Sequence, residues 1–381
     1  MKELGIYVHI PFCKKKCNYC DFVSFANQDN NTQEQYVQAV IKEIQNFKIK
    51  EQDAEITTIY IGGGTPSYVS EKGISRIIQS IYRKFNVSSN VEITLEINPG
   101  TITQEKLETY KAIGVKRLSI GLQSTDDVLL KTIGRIHTYN EFLDTYIMAR
   151  KVGFDNINID LMLALPNQSL EQMEESVKKV IRLNPEHVSV YSLILEEGTE
   201  LEKQLKSGKL KLPTEDNERK MYWLVKNELK RAGYNHYEIS NFAKKGNESK
   251  HNLNCWNQQE YIGFGLAAHS YYDEVRYSNI RDLKQYIANC NRGDFAKNKH
   301  IEESNRTKEQ IAKEYMMLGL RKLEGISISE FQRKFEMNPL FYFRFEMSKL
   351  QEQDLIEVDL DNVRLTDKGL DFANLVFEEF V

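Results

Sequence analysis

The chain has no apolar run near the ~18–20 residues that a membrane-spanning helix needs. Its opening, "MKELGIYVHIPF", lacks the charged head, long apolar stretch and small-residue cleavage site of a secretion signal. These absences lead to the expectation of a cytoplasmic protein with no membrane span. An excess of one charge is missing too. The 51 Lys and Arg stand against 55 Asp and Glu, a net −4, so bulk charge gives no reason to expect a nucleic-acid partner. Cysteine is scarce, five in 381 residues, and in a reducing compartment clustered thiols bind metal more often than each other. Cys255 and Cys290 stand apart and read as small buried side chains. The other three, Cys13, Cys17 and Cys20, crowd into "HIPFCKKKCNYCDF".

At this length one large domain plus smaller ones is expected. Up to about residue 212 the chain alternates strand-like runs ("GIYVHI", "ITTIYIG", "VEITLEI", "RLSIGLQ", "INIDLMLAL", "HVSVYSLIL") with helical patterns such as "EKGISRIIQSIYRKF". That rhythm predicts an α/β fold of six parallel βα units, a partial barrel or a doubly wound sheet, with strands buried on both faces. From 213 to 300 the rhythm breaks into a long helix followed by short strands and Asn-, Gly- and aromatic-rich loops. From 301 to 381 helices, a hairpin turning at Asp361-Asn362 and a last helix suggest a small winged-helix-like domain. Residues 302–381 hold 11 Lys and Arg against 17 Asp and Glu, which points away from DNA and toward a structural or protein-contact role.

Three cysteines spaced C-x3-C-x2-C on a loop after the first strand can converge on one centre, and Lys14, Lys15 and Lys16 beside them are expected to lower the thiol pKa values. Zinc would need a fourth ligand, from Cys255 or Cys290. A 4Fe–4S cluster held by three cysteines leaves one iron free for a small molecule, and the ligand count favours it. "IGGGTPS" after the second strand lets backbone approach a ligand closely. Glu96, Gln123, Arg135 and Asp160 all fall near strand ends, where the loops of barrel enzymes build sites. An Asp inside "INIDLMLAL" also needs a buried partner.

The cysteine pattern, with an aromatic before the third cysteine, resembles the signature of radical S-adenosylmethionine (SAM) proteins. The resemblance implies a partial (β/α)6 barrel with a C-terminal extension. It also implies a 4Fe–4S cluster on Cys13, Cys17 and Cys20 whose open iron is chelated by SAM and can cleave it to a radical. Gly63, Gly64 and Thr65 would meet the SAM amino group. In order along the chain, Tyr7, Tyr19, Glu96, Gln123, Arg135 and Asp160 match further SAM contacts of one subgroup, the oxygen-independent coproporphyrinogen III dehydrogenases and their relatives. The similarity continues through "LSIGLQS", "YEISNFA" and "YIGFGLAAHS".

Two features are similar to the haem-chaperone branch of that subgroup. Phe22 stands where the dehydrogenase motif has a further cysteine, and almost nothing precedes the first strand. "HNLNCW" matches the branch's His-Asn-x-x-Tyr-Trp haem motif at His251, Asn252 and Trp256, with Cys255 in place of the tyrosine. The resemblance implies haem bound through His251, with Cys255 as a candidate second ligand. It also implies transfer to acceptors such as respiratory cytochromes, so that a peripheral membrane contact would come through the acceptor. Two other readings stay open: a coproporphyrinogen III dehydrogenase, and a zinc-stabilised interaction protein.

Overall fold

The structure is a computed structural model that describes residues 2–50 and 53–381. Its centre is a run of parallel strands: β1 (Glu3–Ile10), β2 (Glu55–Gly63), β3 (Val87–Ile97), β4 (Arg117–Gln123), β5 (Asn156–Leu163) and β6 (His187–Ser192). Helices α1 (Asn30–Asn46), α2 (Glu71–Lys84), α3 (Gln104–Ala112), α4 (Tyr139–Val152) and α5 (Leu170–Leu183) make the crossovers. Each starts on a side-chain cap. Thr138 with Glu141 and Ser169 with Gln172 form full capping boxes, satisfying N–H groups that a helix start would leave bare.

The strands are buried on both faces, but the two faces differ. Ile59, Ile61, Ile93, Leu95, Leu118, Ile120, Ile157 and Ile159 pack into the main apolar core. Their alternating neighbours Thr58, Thr94, Arg117, Ser119, Asn158, His187 and Ser189 are polar and equally buried. Period-2 alternation therefore gives the sheet one oily face and one polar interior, and the polar groups there must find partners in one another.

Strands from the next segment border this run on both edges. On one side β7 (Asn235–Glu238) and β8 (Asn241–Ala243) follow β6 antiparallel. On the other, β9 (Tyr261–Phe264) pairs parallel with β1, from Gly5↔Tyr261 to Val8↔Phe264. Beyond it lie β10 (His269–Tyr272), β11 (Val275–Asn279) and β12 (Lys299–Glu303). The sheet reads β12-β11-β10-β9-β1-β2-β3-β4-β5-β6-β8-β7, twelve strands. Helices α6 (Glu215–Arg231) and α7 (Lys250–Trp256) lie within this segment.

The main core spans Leu4 to Cys290, a small separate cluster gathers Leu129, Ile133, Met162, Leu165, Leu193 and Leu201, and another core, from Ala312 to Phe380, belongs to the C-terminal part. There Ile326–Ser327, Ile356–Val358 and Asn362–Leu365 form a three-stranded antiparallel sheet among short helices. The hairpin turns at 359–361. The Asp359 carboxylate accepts the N–H groups of Asp361 and Asn362, both at 2.8 Å, and Asn362, expected in the turn, already stands in the strand opposite Ser327. Among the described residues no helix is long and apolar enough to cross a membrane.

Candidate functional site

The three clustered cysteines hang over the strand ends at one rim of the barrel. Phe12–Cys13 pairs with Phe25–Ala26, closing the loop between them at its base. Asn18 pins the loop's middle to the end of the helix after β4: its N–H donates to Ile133 O and its amide to Thr132 O, both at 2.9 Å. Lys16 turns away to donate to Phe22 O. Burial pushes the Cys13 thiol up, and burial together with Cys17 pushes Cys20 up to about 11. The expectation that the lysines activate these thiols is therefore corrected, since desolvation and the neighbouring sulfurs outweigh them. Cys13 and Cys20, which burial disfavours as free thiolates, and Cys17 between them suit a cationic centre that binds all three sulfurs at once. Among the described residues no three His, Cys, Asp or Glu converge to hold a single metal ion. Cys290 is buried in the core, accepting from Asn298 at 3.2 Å, and Cys255 lines a different cavity. A zinc ion with either as fourth ligand does not fit; a polynuclear cluster on three sulfurs does.

Behind the loop lies a cavity of about 340 Å³. Cys13, Cys17, Tyr19, Cys20, Gly63, Gly64, Thr65, Glu96, Gln123, Arg135 and Asp160 all line it, so eleven of the sequence-selected residues meet at one place. Gly63 sits at φ 111°, where a Cβ would stand 2.5 Å from the His9 ring. A Cβ on Gly64 would come within 3.0 Å of Cys13 Sγ and two backbone atoms. Only glycine leaves this backbone bare to a ligand. Gly63 N–H donates to Glu96 Oε2 at 3.0 Å and Tyr60 Oη donates to Glu96 Oε1 at 2.8 Å. Burial, helped by Asp160, still raises the Glu96 carboxyl to about 7. Asp160 accepts from Asn158 at 2.7 Å and Ser119 at 3.1 Å, which answers the need for a partner, and burial raises it too. Arg135 donates to Asn98 Oδ1, to Gly121 O at 2.5 Å and toward Cys17 Sγ at 3.7 Å, while its buried Nε has no partner among the described residues. Two partly buried carboxylates and a guanidinium beside a bare glycine backbone fit a small zwitterion that also carries a cationic centre, which is the charge pattern of SAM.

A second cavity of about 670 Å³ adjoins the first, and Phe22 lines both. Tyr7, His251 and Cys255 line this one, so Tyr7 stands apart from the other residues matched to SAM contacts. "HNLNCW" is helix α7 and not the loop expected from its asparagines. Ser249 caps it by accepting from Asn252 N–H, and Glu92 of β3 accepts the N–H groups of Lys250 (3.1 Å) and His251 (3.4 Å). A buried carboxylate at the helix start offsets its exposed N–H groups. His251 and Cys255, four residues apart, thus face the same cavity. His251 Nδ1 pairs with Thr58 Oγ1 at 2.9 Å, and Nε2 takes no partner among the described residues. Burial, with Arg117 nearby, lowers the ring to about 4, so it is neutral near pH 7. Burial raises Cys255 to about 12 and keeps it a thiol. Asn252 shares the helix, while the Trp256 ring lies under Arg321 of the C-terminal part at 4.3 Å. His269, Arg281 and His300 line the far, exposed side.

Sequence reasoning missed Thr58, Tyr60, Glu92, Asn98, Arg117 and Tyr191. A period-2 count within "ITTIYIG" and "VEITLEI" would have separated Thr58, Tyr60, Glu92 and Glu96 from their apolar neighbours.

The radical SAM superfamily pattern matches residues 7–180, and that of the HemN C-terminal domain matches 307–372. The chain is 37% identical to the protein named heme chaperone HemW of Lactococcus lactis, across 100% of this chain and 98% of that one. With its Bacillus subtilis namesake it shares 39% over 98% of each. Among solved structures it is similar to coproporphyrinogen III oxidase (HemN) of Escherichia coli, a radical SAM enzyme. The TM-score is 0.86 at 23% identity, covering 100% of this chain and 90% of that one, a likeness of fold.

Proposed function

The chain belongs to the haem chaperone family within the radical SAM superfamily, and on that basis we propose that it binds haem in the second cavity and hands it to acceptor proteins. His251 carries the reading. One ring nitrogen is anchored on Thr58 and the other has no partner among the described residues, in a cavity of the size that takes a macrocycle. A neutral imidazole held at its other nitrogen by a hydroxyl that can accept Nδ1–H is suited to ligate iron. Cys255, one helical turn along, lines the same cavity and would be a candidate second ligand to haem iron. Arg281 and His300, at the exposed side, would offer cationic or hydrogen-bonding partners to haem propionates.

The first cavity holds the cofactors in this reading. Cys13, Cys17 and Cys20 hold a 4Fe–4S cluster, while Gly63 to Thr65, Glu96, Gln123, Arg135 and Asp160 hold SAM. When bound, this pair supplies one-electron chemistry. The chain's own residues keep Arg135 opposite two carboxylates and let Phe22 and Tyr60 stand between that chemistry and the neighbouring cavity. Its place is the cytoplasm, and its acceptors include respiratory cytochromes, reached by contact through its own surface.

The test is a haem titration of anaerobically reconstituted protein followed by transfer to an apo-cytochrome. Saturation at one haem per chain and loss of the donor's Soret band to the acceptor are expected. Turnover of coproporphyrinogen with SAM and a reductant, with no saturable haem binding, would replace this reading by the dehydrogenase.

A further inference from the structure

We propose that Tyr60 is a positioning residue that couples the two cavities, so that a cationic ligand beside Glu96 in the first tightens haem binding at His251 in the second. The proposal rests on the haem reading above and deepens it. Tyr60 lines the first cavity, where its hydroxyl donates to Glu96 Oε1 at 2.8 Å. The rest of its ring faces the other way. It lies 5.3 Å from the His251 ring at an interplanar angle of 31°, and 6.2 Å from the Tyr7 ring at 29°. His251 and Tyr7 both line the second cavity. Tyr60 is two residues from Thr58 on the same face of β2, and Thr58 holds His251 Nδ1. One rigid ring with two side-chain torsions therefore has its polar end in one site and its face against the ligand of the other.

Glu96 is where a charge in the first cavity is felt. Its carboxylate lines the cavity, it already accepts from Gly63 and Tyr60, and the Asp160 carboxylate on the same cavity repels it. A ligand ammonium or sulfonium beside it favours the ionised carboxylate. An ionised acceptor holds the Tyr60 hydroxyl more tightly than a neutral one. Tyr60 is then fixed in one orientation against His251, and haem meets an imidazole whose surroundings are already ordered. Linkage makes the effect mutual: haem must tighten SAM binding by the same factor.

The experiment is a Soret titration of the cluster-loaded chain with haem, without and with saturating SAM, beside calorimetric SAM titrations without and with haem. About a five-fold or greater drop in the haem Kd with SAM, and the same factor in the reverse experiment, are expected. Tyr60→Phe keeps the ring and removes the hydroxyl, so haem should still bind while the factor falls to near one. Glu96→Gln, which keeps a hydrogen-bonding partner for Tyr60 and removes the charge, should lose the coupling as well. Equal or weaker haem binding with SAM in the unaltered chain overturns the proposal, as does an undiminished factor in both variants. If haem fails to bind under either condition, the haem reading falls and the coupling with it. If haem binds and SAM has no effect, only the coupling falls.

Discussion

His251 Nδ1 and Thr58 Oγ1 lie 2.9 Å apart, joining helix α7 to strand β2 across 193 positions of sequence. When Nε2 offers its lone pair to iron, Nδ1–H donates to the Thr58 hydroxyl, which can accept it, so the contact accommodates the ligating tautomer. Because burial lowers the ring to about 4, protons compete with iron only in strong acid. The haem Kd should therefore stay flat from pH 8 to about pH 5 in a Soret titration. An exposed histidine would lose affinity below its ordinary value of about 6.5. Thr58→Val should weaken haem by up to about ten-fold, the worth of one hydrogen bond.

Glu96 should be costly to the fold at the pH where the protein works. Its folded-state carboxyl titrates near 7 against about 4.5 when exposed. Between those values the folded chain holds a proton that the unfolded chain has released, so stability falls as pH rises through that window. Glu96→Gln can accept from Gly63 N–H and donate to Tyr60 Oη, keeping both contacts without the charge. In thermal melts it should leave stability nearly unchanged at pH 4 and raise it by roughly 2–3 kcal/mol at pH 8. Its SAM affinity should fall. A destabilised residue whose removal harms binding is what a ligand site leaves behind.

The cluster loop has no room to spare. Gly64→Ala places a Cβ 3.0 Å from Cys13 Sγ, Ile10 O and Phe12 N, two of them backbone atoms that cannot swing aside. Reconstituted Gly64→Ala protein should hold well under half the iron and sulfide of the unaltered chain. Cys20→Ala should retain no stable cluster. Cys290→Ala, a change in the core, should retain all of it at a stability cost of about 1–2 kcal/mol. Iron loss from Cys290→Ala equal to that from Cys20→Ala would place the ligands elsewhere.

How far the sequence revealed this depended on whether a feature was local. The six central strands were legible because each is a short apolar run between helical patterns, and C-x3-C-x2-C is contiguous. The polar interior was not. Thr58 and Tyr60 pass for ordinary strand formers in "ITTIYIG", and only register shows them facing Glu96 and His251. Helix α7 was hidden because asparagines disfavour helix, and what offsets this is Glu92, 158 positions away on β3. The pairing of β9 with β1 was equally invisible, since Gly5 and Tyr261 meet only in the folded sheet. The residues matched to SAM contacts gathered as one group except Tyr7, which lines the second cavity.

The most direct measurement of the central claim is the haem affinity of His251→Ala beside His269→Ala, read by Soret titration on protein whose folding is checked by thermal melt. His269 lines the same cavity but is 64% exposed and pairs with Glu302 at 3.2 Å. A loss of at least ten-fold and a shifted Soret band are expected for His251→Ala, with little change for His269→Ala. Undiminished affinity and an unshifted band in His251→Ala would contradict the claim.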